Sequence, residues 1–507
     1  KLDGGKDFFQ TFIEAGKIKK TDPDAAGNVK YMMDKSLKHS VWEKVTESAD
    51  RHNSPGKFTA FIGYEWTSNG LSKEFMNLHR VVIFKDGKEK ANKVLPFSAN
   101  DSVYAEDLWN SMEKYESSTG GEVIAIPHNS NLSAGMMFAP TDLNGKPMVK
   151  SQAEARSRWE PLAEVTQMKG TSETHPLLSP DDEFSDYEIW DDIEGRSSSE
   201  ELSREDRENK PYGYIRSALK LGMQEQSKLG VNPFKFGMVG GTDSHTSLST
   251  ADDDNFWGKM PHSNPHKGRM FERMLPYIGP LSWEVSASGY TGVWAKENTR
   301  EALFDAMKRK EVYASTGPRM TVRFFGGWDY EADDAFSPNL AKIGYEKGVP
   351  MGGDLTAAPD DRSPRFLIRA VRDPEGANLG RVQVIKGWHD KNGELHEKVY
   401  NVALSDNRKP NWRGKVKPVG NTVDIPDASY TNSIGDPELA VVWEDPDFNP
   451  GDPAFYYVRV LEIPTPRWTA SDVKQFELKD VPQNIPMIAQ ERAYTSPIWY
   501  SPVAKTE

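Results

Sequence analysis

The sequence predicts a mixed α/β protein. A parallel α/β sheet or barrel spans residues 1–318, and a β-sandwich-like module spans residues 319–507. Three observations carry this. Apolar strands alternate with amphipathic helices over the first half, the signature of β-α-β units. From about Thr321 short alternating strands follow one another, separated by Pro, Gly and Asp turns. Finally, 507 residues with a hydrophobic fraction of 37% and 40 glycines suffice for a core divided among two to four domains.

Taken in order, residues 8–16 and 36–52 carry helical spacing, with Leu37, Val41, Val45 and Ala49 on one face of the second. Asn53-Ser54-Pro55-Gly56 ends that helix. Phe58 to Tyr64 reads as a strand that stops at Glu65. Asn77 to Phe84 is the next strand, with His79 near its start. A helix follows from about Glu106 to Tyr115. The strand Glu122 to Ile126 is capped by Pro127-His128-Asn129-Ser130-Asn131, and Ala163 to Met168 is another strand. Residues 181–210 are strongly charged and are expected at the surface. Tyr212 to Leu229 is an amphipathic helix feeding the strand Phe236 to Val239, after which Gly240 and Gly241 bend the chain sharply into Asp243-Ser244-His245. Residues 251–268, rich in Asp, Pro and His, are expected to form a lid or rim. Asn298 and Glu301 are spaced as a capping pair for a helix over 299–310. The later strands fall at 321–325, 365–371, 381–386, 397–403, 439–443 and 455–462.

Composition narrows the function. Sixty-three Lys and Arg against 76 Asp and Glu give a net charge of -13. No basic stripe interrupts it, which argues against duplex nucleic acid or an anionic membrane as partner. Cysteine is absent, so disulfides, thiolate metal sites and a Cys nucleophile are excluded, leaving His and carboxylates as the ligand pool. No apolar run of 18 residues is present to span a membrane. The chain opens Lys1-Leu2-Asp3 without a signal peptide, and a periplasmic or secreted location after loss of a leader is expected.

Glu65, His128 and Asp243 each fall at or just beyond the end of an apolar strand, with His245 two residues further on. In α/β folds that end of the strands builds the active site. His79 is the exception, placed where its strand begins. Any one of these alone reads as a turn or a satisfied structural residue. Several at the same end of different strands point to a shared site, and carboxylate and imidazole donors suit zinc, manganese or iron.

Tyr64-Glu65-Trp66-Thr67, Asn77-Leu78-His79-Arg80, Ile126-Pro127-His128-Asn129 and Thr242-Asp243-Ser244-His245 resemble the PHP (polymerase and histidinol phosphatase) metallohydrolase superfamily. Within it the chain is similar to a bacterial PHP-like family, domain of unknown function 3604. That resemblance extends to Thr316-Gly317-Pro318-Arg319 and Thr495-Ser496-Pro497-Ile498-Trp499-Tyr500, and so covers nearly the whole chain. It implies a distorted (β/α)7 barrel and two or three divalent cations (Mn, Fe or Zn). Glu65 would bridge two of them, His79 and His128 would complete one, Asp243 would bind the first and His245 the third. The resemblance also implies an opening strand with His-x-His, which this sequence lacks. Those ligands are expected from a segment before Lys1, present as part of a longer chain or as a separate, nicked piece.

The expected activity is hydrolysis of a small-molecule phosphate mono- or diester by a metal-bridging hydroxide, with Glu65, His128 and Asp243 as the catalytic set. Neither a Cys nucleophile nor a Gly-x-Ser-x-Gly elbow competes with this reading. Arg80, Asn129, Asn131 and Lys169 are candidates to hold the substrate, and His175 is either a general acid or a loop residue. Two other readings stand beside it. One is carbamate or carboxyl-ester hydrolysis on the same metals; the other is a non-catalytic scaffold whose β-module binds glycans or a partner protein.

Overall fold

Side-chain alternation along three short strands sets the architecture of the first half. The computed structural model describes residues 35–71, 76–190, 208–275, 278–356, 358–359, 362–412 and 415–502. The helix expected over 8–16 lies outside them. β1 (Ile62–Trp66), β2 (Arg80–Phe84) and β3 (Val123–Pro127) form an antiparallel sheet in the order β1-β2-β3. Ile62, Trp66, Val82, Phe84, Val123 and Ala125 occupy one face. They pack against Trp42 of the helix Lys35–His52, against Leu108, Trp109 and Met112 of Ala105–Thr119, and against Trp159 of Lys150–Trp159. The opposite face, with Val81, Ile83, Ile124 and Ile126, packs on Leu162, Val239, Phe304, Met307 and Val312. Two apolar faces explain why these strands read as continuous hydrophobic runs.

A second small sheet joins β4 (Leu162–Gln167), β5 (Gly170–Thr171) and β6 (Gly237–Gly240) in the order β5-β4-β6, with β4 and β6 parallel. That is the one parallel pair among the described strands of residues 35–318. The expected parallel sheet is therefore corrected to a mixed arrangement, and the described strands do not close into a barrel. The parallel pair β4 and β6 is joined through the helix Ile215–Leu229, the kind of crossover that parallel neighbours require and antiparallel ones do not.

The second half is rich in sheet, as expected. All six predicted late strands lie within observed ones. Thr321–Gly327, Gly348–Pro350, Arg365–Val371 and Glu438–Glu444 form a four-stranded sheet. Phe324, Phe366 and Ile368 from it interdigitate with Val382, Val384, Tyr456 and Val458 of an eight-stranded sheet. The eight-stranded sheet takes Tyr290–Val293 and Val312–Ser315 from before residue 318, and its other six strands from beyond residue 353. The expected boundary at residue 318 thus falls between strands of one sheet. On its other side, Ile385, Phe455, Tyr457 and Trp499 pack with Ile215, Leu219 and Met223 of the helix Ile215–Leu229 and with Val165 and Met238 of β4 and β6.

A buried ionic network reinforces that junction. Arg216, from the helix, reaches Glu173 Oε1 at 2.7 Å and Asp182 Oδ2 at 2.8 Å. Arg459, from the eight-stranded sheet, reaches Glu173 Oε2 at 3.1 Å and Asp182 Oδ1 at 2.7 Å. Two carboxylates between two guanidiniums satisfy one another where water is excluded.

Three smaller expectations are corrected. Along Lys35–His52 the buried residues are Trp42 and Thr46, while Val41 and Val45 are exposed, because the indole, whose Nε1 donates to Ala91 O at 3.1 Å, fixes the helix's rotation. Within the charged stretch, Asp182, Ser185, Tyr187 and Trp190 are buried rather than superficial, and residues 191–207 lie outside the described ones. The helix Arg300–Lys308 is capped by Thr299, whose Oγ1 accepts from Ala302 N, while Asn298 Oδ1 accepts from Thr59. Among the described residues no helix is long and apolar enough to cross a membrane.

Candidate metal centre

Strand direction assembles the site. β1 and β3 both run against β2, so the ends of β1 and β3 and the start of β2 form one edge. Glu65 lies inside β1 opposite Val81, one residue before the strand ends, rather than beyond it; the ladder begins only at Ile62 paired with Phe84. Ile126 is also opposite Val81. His79 precedes Val81 by two residues and His128 follows Ile126 by two, so all three site residues face the same side. His128 N–H donates to His79 O at 3.3 Å, extending the ladder to the edge. The antiparallel pairing removes the exception noted for His79, because a parallel sheet would have put it at the opposite end.

Glu65 Oε1 stands 2.8 Å from His79 Nδ1 and 3.2 Å from His128 Nε2. Both imidazoles are buried and the carboxylate is about a third exposed, its side chain at 34%, so the site opens to solvent past Glu65. Burial raises the Glu65 carboxyl, but the hydrogen bonds with His128 and His79 outweigh it and hold the group well below the usual carboxylate range. Burial pushes His79 down to about 4 against the pull of Glu65. His128 is also opposed by burial, yet Glu65, Glu164 and Asp243 together raise it.

The donor set suits a divalent transition metal. Two imidazole nitrogens and one carboxylate oxygen lie within 4.8 Å of one another, the one such group among the described residues. Ligands about 2.1 Å from a tetrahedral cation are about 3.4 Å apart, so the 2.8 and 3.2 Å contacts of Glu65 with the two imidazoles would open by about 0.6 and 0.2 Å.

Asp243 and His245 do not join that group. Asp243 follows β6 by three residues in left-handed conformation, with φ of 53°. Its Oδ2 is clamped by Lys169 Nζ at 2.7 Å and Lys259 Nζ at 2.6 Å, and its Oδ1 faces His245 Nε2 at 3.2 Å. Burial works against this carboxylate, but the two ammonium charges hold it well below the ordinary range. The two clusters feel each other: Asp243 acts on His128, Lys169 on His79 and Glu65 on Lys259. They are neighbouring clusters, one at the edge of the β1-β2-β3 sheet and one beyond the end of β6.

The expected substrate residues divide. Lys169 is at the site. Asn129, also left-handed with φ of 50°, accepts at Oδ1 from Gln167 Nε2 at 2.8 Å, and its buried Nδ2 has no hydrogen-bond partner among the described residues. Asn131 is a structural brace, donating to Lys169 O and Trp190 O and accepting from Ser172 Oγ. Arg80 is corrected: its register partner is Trp66, so it faces the other side of the sheet, where it pairs with Glu160 at 3.0 Å. His175 Nδ1 accepts from Leu177 N at 3.1 Å, closing its own turn, which favours the loop reading. Of residues 251–268, Lys259 brings the rim to Asp243.

Two residues beside these clusters escaped the sequence analysis. Glu164 is buried within β4, and burial pushes its carboxyl up to about 7. The signal was a lone acid in a strand with no other charged residue. Lys259 carried no signal beyond its charge.

A family model described as a protein of unknown function, DUF3604, matches residues 4–502. No curated protein matches the chain.

Proposed function

The chain belongs to the DUF3604 family, and we propose that it is a metal-dependent hydrolase of phosphate esters. The convergence of Glu65, His79 and His128 from three strands onto one face of one sheet edge carries this reading. Glu65, His79 and His128 would hold a divalent cation, which would supply Lewis acidity to a substrate oxygen and to water. Burial keeps His79 neutral, so its lone pair is available to a cation. Glu65 offers the single anionic donor and the solvent-facing side. Lys169 and Lys259, both buried beside this group, favour an anionic ester over a neutral one. The wider kinship with PHP metallohydrolases forms part of the same proposal, supported by the placement of the three donors.

The test pairs metal analysis with turnover. The protein reconstituted with Mn or Zn should retain metal through gel filtration and hydrolyse p-nitrophenyl phosphate or bis-p-nitrophenyl phosphate faster than p-nitrophenyl acetate. Metal-free protein after reconstitution would overturn the reading, and faster turnover of the acetate would overturn the choice of ester.

A further inference from the structure

We infer that the centre takes one divalent cation, and that Lys169 and Lys259 supply at Asp243 the positive charge that further cations would bring. The inference rests on the Glu65–His79–His128 reading above. It departs from the two or three cations that the sequence resemblance implies.

Asp243 is the carboxylate on which a second cation would depend, and both of its oxygens already stand within ion-pair distance of side-chain nitrogens. Both ammonium groups contact Oδ2, at 2.7 and 2.6 Å, and His245 Nε2 faces Oδ1 at 3.2 Å. Lys259 Nζ also donates to the Asp243 carbonyl at 2.7 Å and stands 3.2 Å from His245 Nε2. That ammonium therefore sits amid Asp243 Oδ2, the Asp243 carbonyl and His245 Nε2, three of the atoms these residues could offer a metal. Neither lysine can swing into water without moving its loop, since both side chains are less than a tenth exposed. Lys169 is anchored at its carbonyl by Asn131 Nδ2 and at its N–H by Gln167 Oε1. Lys259 is anchored at its carbonyl by His245 N–H at 2.8 Å. A dication at Asp243 would meet two nearly buried ammonium groups around one oxygen, and like charges in a poorly solvated site repel strongly.

Metal counting tests this. The full-length protein, reconstituted with excess Mn or Zn and gel-filtered, is analysed by inductively coupled plasma and native mass spectrometry. One equivalent per chain is expected, and Asp243→Asn should still hold one. Glu65→Gln should hold none. The Lys169→Met/Lys259→Met double variant, with Asp243 released, should gain a second equivalent, its fold checked by circular dichroism. Two or more equivalents in the unaltered protein, or a loss of metal in Asp243→Asn, would overturn the inference while leaving the Glu65 centre standing. A folded double variant still at one equivalent would overturn the role given to the lysines. No metal in the unaltered protein would instead overturn the proposed centre itself.

Discussion

Replacing Glu65 by Gln exchanges an anionic acceptor for a neutral amide between two buried imidazoles. Loss of a ligand should cost more than loss of an outer-sphere partner, so hydrolysis should fall at least ~100-fold. Full activity in Glu65→Gln would sink the proposed role. Asn131→Ala makes the opposite case: three buried hydrogen bonds disappear, and stability should drop by about 1–3 kcal/mol in chemical denaturation with KM unchanged. A raised KM at unchanged stability would return Asn131 to the substrate. Glu65 and His128 were legible in the sequence because each closes an apolar run. His79 was legible as a residue but not as a neighbour, since strand direction leaves no mark on side-chain periodicity. Asp243 was found with His245, and Lys169 was named for the substrate, yet the pairing of Asp243 with Lys169 and Lys259 was not. Lys169 and Lys259 come from separate loops, and no local pattern pairs them with it.

Among the elements, β6 and the turn after it show what the Gly240-Gly241 pair does. Neither glycine adopts positive φ; the left-handed residue is Asp243. Gly240 is required by proximity, because a Cβ there would lie 2.7 Å from the Tyr290 carbonyl on the adjoining strand. At Gly241 the nearest atom is the tip of the Glu164 side chain, at 2.9 Å. Gly240→Ala should therefore destabilise by about 1–3 kcal/mol, as overpacking against backbone does. Gly241→Ala should cost less in thermal unfolding while displacing Glu164. Equal losses in the two variants would show that the backbone contact is not what selects glycine. Most elements were readable from periodicity, and errors gathered where one large residue overrode the pattern, as Trp42 does in rotating Lys35–His52.

For the molecule as a whole, the four-membered network of Arg216, Arg459, Glu173 and Asp182 governs acid stability. Burial opposes both carboxylates, but Arg459 and Arg216 outweigh it and hold each below its ordinary value. As pH falls, the unfolded chain takes up these protons first. The stability they contribute is complete above about pH 5 and declines through the acid range below it. Arg459→Met should cost about 3–5 kcal/mol near neutrality by leaving buried carboxylates short of a partner. That deficit should shrink by pH 3 in denaturation series, and parallel pH profiles would contradict it. None of these pairings could be read in advance, since each joins residues far apart in the chain. The presence of a sheet-rich second half was legible; its continuity with the first was not, because strand order is a long-range property. Tyr290–Val293 and Val312–Ser315 belong by sequence to one half and by hydrogen bonding to the other. Neither half can then be exchanged between proteins as a cassette. A gene cut at residue 318 would strand two ribbons with bare edges, prone to find one another in place of their lost neighbours.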